Sequence, residues 1–275
     1  MLASSGSVKF VPSISIGAIV FNLLRVGRTL RQDPPSRRRE AQTALMSADL
    51  RRSAAPLQIA IDGPVASGKS TVAKELARRL HCVFLDTGAL YRAVAYTALA
   101  RGVDVQNEEA VSALLGSHPV RVMVDDKARG YRITMAEKTL GGELFSAGVS
   151  RAVSPIAAMP NVRAQLIGVQ REFADARDVV MAGRDIGSVV LPEAKFKIFL
   201  TATLEARVER RLAELHSAGV PMERAALYAE IRERDERDTS RSVSPLVRAA
   251  GAIELDTSQL SVAQVVEALL QRIGR

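Results

Sequence analysis

The chain contains no tryptophan, and aromatic residues make up only 4% of its 275 residues. No aromatic side chains interleave with the basic ones, so the sequence lacks a stacking platform for single-stranded nucleic acid. Cysteine is almost absent as well, with Cys82 the single example. That count excludes an intramolecular disulfide and a cysteine-rich metal site. Cys82 stands between a helical pattern and an apolar run and is expected to be a small buried residue. Long hydrophobic runs are missing too. The segment from Phe10 to Leu24 covers 15 residues and is interrupted by Ser13, Ser15 and Asn22, short of the roughly 20 that cross a bilayer. Acidic charge is scarce near the N-terminus. Residues 1–45 hold seven basic residues against two acidic ones, +5 of the total net charge of +8, which leaves +3 for all the rest. The basic balance is therefore a weak argument for nucleic acid, and neither a nucleic-acid nor a membrane partner is expected.

What remains suits an α/β enzyme. Hydrophobic residues at 47% and charged residues at 25% can build one full core. Residues 1–55 are expected to be a non-core, largely disordered basic extension, with a membrane-surface helix or a targeting segment as the alternatives. From Leu57 onward, continuous apolar runs alternate with helical patterns. Leu57–Asp62, Val83–Asp86, Asp178–Ala182, Phe196–Leu200 and Ala252–Leu255 read as strands of a parallel sheet covered on both faces. Val120–Val124 and Tyr131–Met135 read as a hairpin. Helices are expected over Thr71–Leu80, Ala89–Ala100, Val162–Ala174, Leu204–Leu215, Arg224–Glu233 and Val262–Ile273.

The most informative stretch is Gly63-Pro64-Val65-Ala66-Ser67-Gly68-Lys69-Ser70-Thr71. It has the form G-x-x-x-x-G-K-S, the phosphate-binding P-loop, with the strand before it and the helix after it that the motif requires. Backbone N–H groups of such a loop, and the start of the following helix, point at a polyphosphate. Lys69 would neutralise the β- and γ-phosphates, and Ser70 would offer its hydroxyl to Mg²⁺. Three further clusters could supply the acceptor site: Asp86-Thr87-Gly88-Ala89-Leu90-Tyr91-Arg92, Gly183-Arg184-Asp185-Ile186-Gly187, and the charge run Arg232–Arg241. The first two follow apolar strands, so a doubly wound sheet would bring them to the P-loop edge. The third, read alone, is a solvated helix face. Beside a P-loop it reads as an arginine-bearing lid that stabilises the transferring phosphoryl group and excludes water.

These four segments, in this order and spacing, resemble the bacterial-type cytidylate kinases, a branch of the nucleoside monophosphate kinases. The resemblance runs from Leu57 to Ile273. It implies a P-loop kinase fold: a doubly wound, mainly parallel sheet, an inserted monophosphate-binding region at about residues 102–175, and a mobile lid at about residues 224–245. It implies transfer of the γ-phosphoryl group of ATP to CMP or dCMP, with Mg²⁺, by a monomeric cytoplasmic enzyme. Residues 63–71 would hold ATP. Arg92, Arg184 and Arg241 would grip the CMP phosphate. Asp185, Arg163 and Ser154 would read the cytosine edge. Arg234 and Asp238 would contact the sugar, and Thr87 and Tyr91 would line the acceptor site. Lys69, Arg184, Arg234 and Arg241 would carry catalysis. Another P-loop small-molecule kinase, of adenylate or shikimate type, is the competing enzymatic reading, and a nucleic-acid-binding protein with a basic arm is the non-enzymatic one.

Overall fold

The computed structural model describes residues 56–125, 130–175 and 177–274. The expected extension, residues 1–55, lies outside the described residues. A five-stranded parallel sheet runs in the order β2-β6-β1-β7-β8, with β1 at Gln58–Asp62, β2 at Val83–Asp86, β6 at Val179–Gly183, β7 at Phe196–Thr201 and β8 at Ile253–Asp256. The central strand is apolar at every interior position because both faces are covered. Ile59 and Ile61 pack on one side with Val72, Leu76, Val265 and Leu269. Ala60 faces the other side with Leu85, Met181, Ile186 and Phe173. The helices responsible are α1 (Lys69–Leu80) and, numbered last in chain order, α8 (Val262–Ile273) on the first side and α5 (Pro160–Asp175) on the second. Helix α8 is closed by a capping box between Ser261 and Gln264 and by Gly274 in a left-handed conformation.

Register decides what meets at the carboxyl end. Asp62 lies opposite Gly183 on one side and Phe199 on the other, and Asp86 lies opposite Ala182. The P-loop, the Asp86–Arg92 segment and the Gly183–Gly187 turn therefore leave the sheet side by side.

Helix α2 (Gly88–Ala100) carries Leu90, Val94 and Ala98 into a second core with Ile133, Met135, Val149, Val153, Ile156 and Leu166. The expected hairpin is present as β3 (Arg121–Asp125) and β4 (Gly130–Met135). A third antiparallel strand, β5 (Lys138–Leu140), follows through Ala136 and Glu137, both at positive φ. Sequence reading missed β5 because no Gly, Asn or Asp marks that turn. It also missed α3 (Glu108–Ser117), which is short and capped by Asn107, and α4 (Ala147–Ala158), which contains Pro155. Helices α6 (Leu204–Ser217) and α7 (Arg224–Ser240) pack through Val208, Leu212, Leu227 and Ile231. Helix α7 runs seven residues beyond the expected end at Glu233. The dense alternating charge supports that extension through the i,i+4 pairs Arg232–Glu236 and Arg237–Glu233.

Candidate active site

The P-loop turns where glycine is needed. Gly63 has φ +150°, and a Cβ there would lie 2.0 Å from the Leu200 carbonyl oxygen. Gly68 enters α1 in a left-handed conformation, and Ala66 shares that region at φ 57°. Lys69 is buried within the loop, its ammonium donating to Pro64 O at 2.5 Å and to Ser67 Oγ at 3.3 Å. Burial, and then the positive charge of Arg184, hold its pKa well below the usual lysine range. A polyphosphate in the loop would reverse that balance.

Ser70 Oγ donates to Asp86 Oδ2 at 2.7 Å, and Asp86 Oδ1 accepts from Gly88 N at 3.0 Å. A hydroxyl beside a carboxylate is a hard-oxygen pair of the kind Mg²⁺ takes, with waters and phosphate oxygens completing its shell. Among the described residues no group of three or more His, Cys, Asp or Glu could hold a metal by itself.

The acceptor side is a knot of arginines and aspartates. Arg163, almost fully buried, pairs with Asp185 through Nη2 and Oδ2, donates from Nη1 to Ala157 O at 3.0 Å, and lies over the Tyr91 ring at 5.4 Å. Arg241 approaches the other Asp185 oxygen at 3.9 Å and donates to Ser244 O. Arg184 Nε pairs with Asp238 Oδ2 at 2.8 Å. Burial raises the Asp238 carboxyl, but Arg184, Arg234 and Arg241 outweigh it and hold the group below the ordinary range. Arg92 donates to Leu144 O and Ser150 Oγ, with its guanidinium 5.3 Å over the Phe145 ring. Arg234 is pushed down to about 10 by burial and by repulsion from Arg184.

Five guanidinium groups thus share this edge with the carboxylates of Asp185 and Asp238. Buried Arg163 Nε, Arg234 Nε and Arg241 Nη2 have no hydrogen-bond partner among the described residues. Surplus positive charge with unmatched buried donors is a site for an anion.

The expected residues are brought together unevenly. Arg92, Arg163, Arg184, Asp185, Arg234, Asp238 and Arg241 converge. Tyr91 is buried beneath Arg163, its hydroxyl pushed up to about 12 by burial. Ser154, half-buried on α4, lines a cavity with Arg241, Arg151 and Arg237. Thr87 is buried and donates its hydroxyl to Ala182 O at 3.0 Å; it ties β2 to β6.

Three contributors carry no individual role in the sequence reading. Asp62 accepts two backbone bonds from the Gly183–Gly187 turn. Arg207 donates both to Val65 O of the P-loop and to Asp235 of α7. Asp235 in turn accepts from Val65 N at 3.4 Å. The P-loop motif contains no hint of Arg207, which is one of several arginines on α6. Asp62 sits immediately before the motif, and an acidic residue closing an apolar strand was a usable signal.

A P-loop at the edge of a parallel sheet, facing an arginine-lined anion site, defines a phosphotransferase of the P-loop kinase class. The cytidylate kinase family model matches residues 59–275. The cytidylate kinase of Oceanobacillus iheyensis is 42% identical over 217 residues, covering 79% of this chain and 94% of its own length. That of Pseudomonas aeruginosa is 44% identical, covering 79% and 95%, and that of Enterococcus faecalis 42% identical, covering 78% and 93%. The chain belongs to the cytidylate kinase family. The shikimate kinase structure from Bacteroides thetaiotaomicron overlaps at a TM-score of 0.40 with 15% identity, covering 80% of this chain and 99% of its own, a likeness too low to bear on the substrate. No helix among the described residues is long and apolar enough to cross a membrane.

Proposed function

We propose that this chain transfers the γ-phosphoryl group of ATP to CMP or dCMP, giving CDP or dCDP and ADP. The observation that carries the acceptor assignment is the Arg163–Asp185–Arg241 group beside the Arg184–Asp238 pair. It sets a carboxylate flanked by guanidinium groups next to donors suited to one phosphate. Cytosine presents an exocyclic amine beside ring acceptors, which a carboxylate and an arginine match. Uracil places a carbonyl where that amine stands, so Asp185 would face an acceptor and disfavour it.

In this reading residues 63–71 hold the ATP phosphates, and Lys69 lies against the β- and γ-phosphates. Ser70, supported by Asp86, would hold Mg²⁺, which would neutralise charge on the donor. Arg92, Arg184 and Arg241 take the acceptor phosphate. Arg163, Asp185 and Ser154 read the base, while Arg234 and Asp238 meet the sugar. The acceptor oxygen is already anionic at neutral pH, so no general base is needed. Catalysis rests on alignment and on charge placed before reaction. Helix α7 and the loop after it, about residues 224–245, act as the lid; residues 102–175 form the monophosphate-binding region. The protein works as a monomer in the cytoplasm.

Calorimetric titration tests the acceptor assignment. CMP is expected to bind at least about 100-fold more tightly than cytidine, since the phosphate answers several arginines. Asp185→Asn is expected to bring CMP and UMP within about tenfold of each other. Equal binding of cytidine and CMP would refute the placement of the phosphate.

A further inference from the structure

Asp62 joins the two halves of the site without belonging to either. It ends β1 and is 2% exposed. Its Oδ1 accepts from Ile186 N at 2.8 Å and its Oδ2 from Gly187 N at 2.7 Å. The residue after Asp62 is Gly63, which opens the donor loop. The residue before Ile186 is Asp185. One carboxylate therefore spans from the entry of the P-loop to the turn that carries Arg184 and Asp185. We propose that Asp62 is a positioning residue for acceptor selectivity: by holding the N–H groups of Ile186 and Gly187 together, it fixes the turn that aims Asp185 at the base.

The role deepens the CMP reading and rests on it. The turn is a single π-type turn, Ile186–Val190, a form common at functional sites. Its far end is held by Val189 N and Val190 N donating to Asp185 O and by Arg171 donating to Val189 O and Val190 O; its first two N–H groups are the ones that Asp62 accepts. At Gly187 the space is tight: an added Cβ would lie 3.3 Å from Ala249 Cβ and from Lys197 Cγ, and 3.4 Å from Asp62 Oδ2. An ionised carboxylate offers two strong acceptor oxygens in this arrangement. Protonation leaves one of them a weaker acceptor that also carries a donor, and an amide puts a donor-only NH₂ against one N–H.

Burial pushes the Asp62 carboxyl up to about 6; the two N–H bonds pull it down, neighbouring Asp185 raises it and Lys69 lowers it. Those two side chains, from the turn and from α1, are the charged groups that act on it. Lys197 of β7 reaches the turn through its aliphatic stem. As pH falls through about 6, Asp62 gains a proton, one N–H loses its charge-assisted acceptor, and the turn loosens.

The test is kcat/KM for CMP and for UMP from pH 5 to 8, in wild type and in Asp62→Asn. Both acceptors carry the same phosphate, so its titration cancels in their ratio. In wild type the CMP:UMP ratio is expected to fall about tenfold on acidification, the size of one lost charge-assisted hydrogen bond. In Asp62→Asn it is expected to be low and flat. The wild-type amide resonances of Ile186 and Gly187 are expected to titrate with the same midpoint, a readout that needs no variant. A pH-independent wild-type ratio, a variant that keeps the wild-type ratio, or amides that do not titrate would each overturn the role while leaving the CMP reading intact. A wild type that prefers UMP or AMP at every pH would overturn the CMP reading itself.

Discussion

Arg184→Ala is expected to lower kcat for CMP phosphorylation by about 10³-fold or more, with the fold retained. The charge of Arg184 acts both on the P-loop lysine and on neighbouring arginines of the acceptor cluster. It depresses Lys69 in the donor loop, and it also lowers Arg92 and Arg234 on the acceptor side. In the proposed reading, a charge that acts on all three lies between donor and acceptor, where it would meet the transferring phosphoryl group. Arginines supplied to that position are worth about 10³–10⁵ in rate. Its partner Asp238 would keep Arg234 and Arg241 nearby, so the variant leaves no stranded buried carboxylate. Arg184→Lys is expected to recover little, because a point charge cannot reproduce the planar fork. Single-turnover kinetics separates the outcomes. A loss confined to KM would make Arg184 a ground-state anchor only.

Lys69→Met is expected to lower kcat by about 10²–10³-fold and at the same time to leave the melting temperature unchanged or raised. The two effects have one origin. Lys69 is 6% exposed, and burial with Arg184 holds its pKa well below the ordinary value. A lysine depressed in the folded state costs stability at neutral pH, because the unfolded chain binds its proton more readily. Methionine fills the space without that cost, although Pro64 O then loses a donor. ATP is expected to restore the balance in wild type only, by favouring the ammonium. Thermal unfolding with and without ATP·Mg²⁺ therefore distinguishes a phosphate-binding lysine from a structural one. Wild type should gain stability on adding nucleotide and the variant much less. An equal gain in both would remove Lys69 from the donor site.

Much of this site is visible in the sequence because the residues that build it are local. The P-loop is a contiguous string whose chemistry depends on backbone direction and one lysine. The strands around it betray themselves by burial on both faces: Ile59 and Val180 on one face, and Ala60 and Met181 on the other, are all at 0% exposure. Gly183-Arg184-Asp185 stands out because charge directly after a buried strand has few structural reasons to be there. What the sequence hides is pairing. Asp62 looks like the end of a strand until register sets it opposite Gly183. Arg207 looks like one arginine among several on α6 until its fold neighbours prove to be Val65 and Asp235. Thr87 shows the converse: adjacent to Asp86 in sequence, its buried hydroxyl donates to Ala182 O, a tie between strands that the sequence does not show. Helix α4 was missed because Pro155 reads as a break, yet the helix continues through it.

The most direct measurement is ADP release from ATP·Mg²⁺ with CMP, dCMP, UMP, AMP and shikimate as acceptors, at equal concentration and neutral pH. Turnover of CMP and dCMP well above UMP and AMP, with none on shikimate, is the predicted result. Comparable or greater turnover of AMP or shikimate would contradict the assignment of Arg163, Asp185 and Arg241 to a cytosine nucleotide while leaving the donor loop in place.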